Sequence, residues 1–238
     1  MRKHDVVYIL KEGAAANELR YSLRSIERNM VHGKVWFYCG KPEGIIPDEY
    51  VPHVQVGGSK WERVRSSLIE ICKNDKISKK FWLFNDDFYV MQPMESTEPL
   101  YRGLLKDHYL DIEKRHNRRT AYANMLRICE DQLQQAGLTT LDYAVHIPIL
   151  VDRAKALEAL EMFPRCPMFR SLYGNYANIG GAFHKDVKTV DQNKVIPEDA
   201  DFFSTSNKAF RGSVAEQMAK RFPDPCKYEV GYGEGVRS

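Results

Sequence analysis

Two short apolar runs with one amphipathic segment between them constrain this chain more than any other feature. Val6-Val7-Tyr8-Ile9-Leu10 is an unbroken β-prone run, the pattern of a strand buried on both faces. Val35-Trp36-Phe37-Tyr38-Cys39 is a second, ended by Gly40 and the turn-forming stretch Lys41-Pro42-Glu43-Gly44. Between them Leu19, Leu23, Ile26 and Met30 recur at spacings of four, three and four. That is the apolar stripe of a helix of about 13 residues, for which Asn17 is the expected N-cap. Strand, helix and strand in this order predict a parallel βαβ unit with a right-handed crossover. Arg20 and Arg24, four apart, project together from another face of the same helix.

Further along, a weaker strand is expected over 53–56, before Gly57-Gly58. A helix follows over 61–72, with Val64, Leu68 and Ile71 on one side, and then a strand over 80–84. In the second half a long helix is expected over 118–135, overlapping the end of a charged stretch at 106–119. Asp152 is the expected cap of a helix reaching about Met162. A loop containing Pro and Cys comes next, and Ser213 to Phe222 reads as a last short helix. The alternation predicts one α/β domain over 1–238 with a helical C-terminal elaboration.

Several classes are disfavoured. With 35 basic and 32 acidic residues the net charge is +3, so bulk charge does not announce a nucleic-acid binder. No apolar run approaches the ~18–20 residues of a membrane span. Met1-Arg2-Lys3-His4 leads straight into the first strand, with no segment resembling a secretory signal. The five cysteines are scattered and form no CxxC spacing, so neither a zinc ribbon nor a disulfide framework is indicated. A cytoplasmic, reduced protein is the expectation.

The stretch Phe81-Trp82-Leu83-Phe84-Asn85-Asp86-Asp87-Phe88 carries the chemistry. An apolar strand delivers two adjacent carboxylates and an amide to its C-terminal end, where open α/β sheets bind their ligands. Such hard oxygen ligands suit Mg2+ or Mn2+, and a donor diphosphate would complete the shell. The plainer reading is a solvated turn, since Asn and Asp are common at strand ends.

Several separated segments resemble one family. Asp5-Val6-Val7-Tyr8 looks like its first block. Asn17-Glu18-Leu19-Arg20-Tyr21-Ser22-Leu23-Arg24-Ser25-Ile26-Glu27-Arg28 is nearly word for word the start of its second, which the strand carrying Asn85-Asp86-Asp87 closes. His146-Ile147-Pro148 with Asp152-Arg153 resembles the histidine-containing third block, with Arg170 as its following arginine. Phe222-Pro223-Asp224-Pro225-Cys226-Lys227-Tyr228-Glu229 resembles the closing block. The family is the Stealth family of capsular polysaccharide phosphotransferases and GlcNAc-phosphotransferase. The resemblance implies a GT-A-like fold with a Rossmann-like, mostly parallel sheet. It implies transfer of a sugar or sugar-1-phosphate from a nucleotide-diphosphate sugar to an acceptor hydroxyl. By position, Asp86 and Asp87 would hold the metal. Tyr8 and Asn85 would meet the donor, Arg20 and Arg24 would contact donor phosphate or brace the donor pocket, and His146 (as general base or hydrogen-bond donor), Asp87 and Arg170 would be catalytic. Residues 1–95 would then form the nucleotide-sugar and metal-binding half, and 96–238 the more helical acceptor-side half. The chain departs from the family pattern at Ile9-Leu10, at Ser171 to Asn175 and at Thr205 to Lys208.

The acceptor is left open between a glycan and DNA, and no protein partner is indicated. The stretch 106–119 contains Lys106, His108, Lys114, Arg115, His116, Arg118 and Arg119, but also Asp107, Asp111 and Glu113. It reads either as a solvated helix face or as a guide for an anionic acceptor. In the second case the acceptor is a phosphorylated glycan or nucleic acid, and with DNA the chain would glycosylate hydroxylated bases, for example hydroxymethyl bases in viral DNA. A third reading is a non-catalytic binding module on a degenerate transferase fold.

Overall fold

The first apolar run becomes β1 (Asp5–Leu10), and both of its faces are covered. Val6, Tyr8 and Leu10 point to one layer and Val7 to the other, as the two-residue period of a strand requires. A computed structural model describes residues 3–94 and 98–231. The expected boundary between halves, at 95–96, therefore touches residues outside the described ones.

Helix α1 (Asn17–Asn29) follows β1 and buries Leu19, Leu23 and Ile26 against it. Asn17 is its first residue and not its cap; Ala16 stands at the cap and makes no side-chain bond there. Next come β2 (Val35–Cys39), β3 (Glu49–Val51), α2 (Lys60–Lys73) and β4 (Lys80–Phe84). Ser59 and Glu62 form a reciprocal capping box at the start of α2. The strand expected over 53–56 lies earlier, at β3, because only Glu49 to Val51 pair with β2. Val54 and Val56 are exposed loop residues whose alternation imitates a strand.

After β4 the chain makes β5 (Phe88–Val90), β6 (Leu100–Tyr101), α3 (Leu105–His116) and α4 (Ala121–Gln135). The helix expected over 118–135 starts three residues late. Asn117 takes a left-handed conformation (φ +48°) and Thr120 caps Ala123, which makes the charged stretch a separate helix, α3. Then come β7 (Ile149–Asp152), α5 (Arg153–Met162), α6 (Phe169–Tyr176), β8 (Ala182–Phe183), β9 (Lys188–Thr189), β10 (Phe202–Thr205) and α7 (Gly212–Arg221). Asp152 does cap α5, accepting from the amides of Ala154 and Lys155. Helix α6 is not announced by the sequence pattern.

The protein is thus a mixed α/β fold with seven helices among the described residues. Its central sheet has the order β3-β2-β1-β4-β7; the first four strands are parallel and β7 joins β4 antiparallel. Helix α1 covers one face, and α2, α5 and α6 cover the other. A second sheet, β5-β10-β9, packs with α7 around Tyr89, Phe203, Val214 and Met218. Both β7 and β10, from the second half of the chain, pair with strands of the first half. No described helix is long and apolar enough to cross a membrane.

Candidate active site

Tyr8 of β1 and Phe84 of β4 stand opposite each other, so the C-terminal ends of these parallel strands open onto the same edge. Phe84 is the last residue of β4 and Phe88 the first of β5, and Asn85, Asp86 and Asp87 form the turn between them. The Phe88 amide closes that turn on the Asn85 carbonyl at 3.3 Å. Asn85 is exposed and Asp87 buried, with 8% exposure.

Asp87 is only half satisfied. Its Oδ2 accepts from Lys188 Nζ at 2.7 Å, while its Oδ1 is buried with no hydrogen-bond partner. Burial and the neighbouring Asp87 push the Asp86 carboxyl above the ordinary carboxylate range. Glu18, in the first turn of α1, is a third acid in this field. Burial, aided by Asp87 and Asp86, pushes its pKa up to about 7, although a hydrogen bond from Thr205 opposes the shift. Thr205 Oγ1 donates to Glu18 Oε1 at 2.6 Å and accepts from the Tyr89 hydroxyl at 2.9 Å. Three carboxylates therefore share a poorly hydrated corner with the ammonium of Lys188. Such a corner favours added positive charge, and hard oxygen donors match Mg2+ or Mn2+. Among the described residues no group of three or more His, Cys, Asp or Glu side chains is arranged to hold a metal ion.

The other side of the turn is built around Phe88. The Arg170 guanidinium lies over its ring at 4.9 Å, and the His146 ring meets it edge-on at 6.3 Å. Arg170 donates to the carbonyls of Ile147 at 2.6 Å and Leu83 at 3.2 Å, bridging the His146 loop to β4. Burial pulls its pKa down to about 10, and the charge of Asp87 opposes the shift. His146 adopts a left-handed backbone (φ +51°), uncommon for a residue with a side chain. Its Nδ1 lies 2.8 Å from Asp186 Oδ1. Arg170 and His146 thus meet at Phe88, the residue that follows Asp87.

No model of a known protein family matches the chain, and no curated protein matches it.

The four residues expected to meet a donor divide. Asn85 is at the site and exposed. Tyr8 is wholly enclosed, and its hydroxyl donates to Ser22 Oγ at 2.8 Å; Ser22 in turn donates to the Phe88 carbonyl at 2.6 Å. It has no surface to offer a donor and instead props the acidic turn from below. Arg24 is committed to Glu229 and to the carbonyls of Phe222 and Pro223. Arg20, with a side chain 42% exposed, reaches the same Glu229 at 3.2 Å. Both arginines therefore clamp the 222–229 turn, and Arg20 alone keeps an open face.

Sequence reasoning passes over Glu18, Lys188, Asp186 and Arg102. A signal exists for Glu18, which stands in the first turn of the helix after β1 and so belongs to the same sheet edge as Asp86 and Asp87. Nothing local marks the other three, which come from loops and short strands brought together by the fold.

Proposed function

We propose that the protein is a GT-A-like transferase moving a sugar or sugar-1-phosphate from a nucleotide-diphosphate sugar to an acceptor hydroxyl. Asp86 and Asp87 would hold Mg2+ or Mn2+. The observation that carries this reading is the buried, unpartnered Oδ1 of Asp87 at the end of a parallel strand, crowded by Asp86 and Glu18. A buried carboxylate oxygen without a partner is unfavourable, and a cation would satisfy it. The resemblance of the arginine-helix, histidine and closing blocks to the Stealth family points the same way.

A divalent cation bound there supplies charge neutralisation at the departing phosphate. The chain's own groups do the rest. Lys188 and Arg170 keep fixed positive charge beside the acidic turn, and His146 receives the proton of the acceptor hydroxyl. Arg20 offers its open face to the donor. The leaving group distinguishes the two routes: a nucleoside monophosphate for sugar-1-phosphate transfer, a nucleoside diphosphate for sugar transfer.

For the acceptor, a glycan is favoured over DNA. The cations of α3 are interleaved with acids, and Arg115 pairs with Asp111 while Arg127 from α4 takes Glu113. Such a mixed face gives little of the cumulative phosphate attraction that duplex binding needs.

The test is thermal unfolding with UDP, GDP, CDP and ADP sugars, each with and without Mn2+, in wild type and Asp87→Ala. Binding to the folded state alone raises Tm. A shift that needs both Mn2+ and Asp87 is expected with one nucleotide class. No shift with any donor sinks the reading, and a shift without turnover on any acceptor leaves a nucleotide-binding module.

A further inference from the structure

Asp186 stands two residues before Lys188, the first residue of β9, and its Oδ1 accepts from the Lys188 amide at 3.1 Å. Lys188 reaches the acidic turn through Asp87, and Asp186 reaches His146. One short segment therefore holds both the charge partner of Asp87 and the partner of the histidine.

Both carboxylate oxygens of Asp186 are used. Oδ1 faces His146 Nδ1 at 2.8 Å and accepts from the Lys188 amide at 3.1 Å; Oδ2 accepts from Arg102 at 3.0 Å. Burial alone would raise this carboxyl, but the hydrogen bond and charge of His146, the Lys188 amide and Arg102 together hold it below the usual carboxylate range. An ionised carboxylate only accepts, so the hydrogen between Asp186 and His146 belongs to Nδ1. In the neutral ring Nε2 is then the nitrogen without a proton. Nε2 makes no hydrogen bond among the described residues, and the side chain keeps 29% exposure. The ring is placed by Asp186 on its Nδ1 side and by its edge contact with Phe88 at 6.3 Å.

We infer that Asp186, braced by Arg102, is the positioning residue that fixes His146 in its Nδ1–H tautomer and so makes Nε2 the base that deprotonates the acceptor. The inference rests on the transferase reading above. The acceptor oxygen forms its bond to the donor's phosphorus or anomeric carbon, and its proton passes to Nε2. The bond from that atom to the bridging oxygen breaks, its electron pair leaving with the nucleoside monophosphate or diphosphate respectively. The imidazolium that results is offset by Asp186 and returns its proton to water.

The experiment is nitrogen-15 NMR of the His146 ring in wild type, Asp186→Asn and Asp186→Glu, with steady-state kinetics on the donor found by thermal shift. Wild type should show the Nδ1–H tautomer. Asp186→Asn should shift the ring towards Nε2–H and lower kcat by about 10²-fold or more, with KM for the donor unchanged and Tm near wild type. Asp186→Glu should restore part of both. If Asp186→Asn does not fold, Arg102→Met supplies the reading, with kcat falling and donor KM unchanged. An Nε2–H tautomer in wild type, or an Asp186→Asn protein with normal tautomer and kcat, overturns the inference. Absence of all turnover in a wild type that shows the Nδ1–H tautomer overturns the transferase reading and with it the base role, while the pairing survives.

Discussion

Arg24 and Glu229, 205 positions apart, meet fork to fork: Nε donates to Oε1 at 2.6 Å and Nη2 to Oε2 at 2.8 Å. Glu229 also accepts from the Cys226 amide, and Arg24 Nη1 donates to Phe222 and Pro223. One ion pair thus fastens α1 to the last described turn. Both side chains are largely buried, at 12% and 6% exposure, so removing one strands the other. Arg24→Met should cost about 3 kcal/mol, with Arg20 recovering part of the loss. The acid side carries a second signature. Burial would raise the Glu229 carboxyl, but the Arg24 hydrogen bond, the Cys226 amide and both arginine charges hold it below its ordinary value. The stability it contributes is complete above the unfolded-chain pKa and is lost as pH falls through the lower folded value. Urea unfolding from pH 7 down to pH 3 should therefore fall less steeply in Arg24→Met than in wild type.

Lys188 is the ammonium that the acidic turn already possesses. Lys188→Met should lower stability by about 1–3 kcal/mol in metal-free buffer, because Asp87 loses its remaining partner beside Asp86 and Glu18. Mn2+ should then raise Tm by more in the variant than in wild type, since the ion meets a less compensated set of carboxylates. Thermal unfolding with and without Mn2+ reads both effects. Equal shifts in the two proteins would separate Lys188 from the cation's position.

Gly174, inside α6, is where a methyl group has no room. A Cβ there would lie 2.4 Å from the Tyr143 ring, whose hydroxyl is tied to the Gly180 carbonyl at 2.9 Å. Gly174→Ala should cost about 2–3 kcal/mol by overpacking, despite alanine's better helix propensity. Replacing Tyr143 by Leu in the same chain should recover part of it, and a denaturant double-mutant cycle measures the coupling.

The parts of the fold visible in the sequence are those whose signal is local. Val6 to Leu10, the Leu19–Ile26 stripe and Val35 to Cys39 each carry their own period, and they form the first βαβ unit. Asp152 likewise announces its helix by capping chemistry. The second sheet is silent because β5, β9 and β10 are two to four residues long and owe their strand character to one another. Residues 53–56 show the converse, an alternation that no neighbouring strand answers. At the site, Asp86 and Asp87 are legible because strand-end carboxylates are a sequence pattern. Lys188 is not, since its meaning comes from Asp87, 101 positions away. Tyr8 reverses the lesson, since it fits a donor-site pattern and the fold buries it; Arg24, expected to contact donor phosphate or to brace the pocket, is held by Glu229.

The acidic turn is also a mechanical joint. Asn85, Asp86 and Asp87 are all that separates a strand of the central sheet from a strand of the second, a tether of about 11 Å at full stretch. The two sheets cannot draw apart without first peeling β5 from β10 or β4 from both β1 and β7. Any change in the spacing of the two layers is therefore carried by the backbone of the three residues that present the two carboxylates.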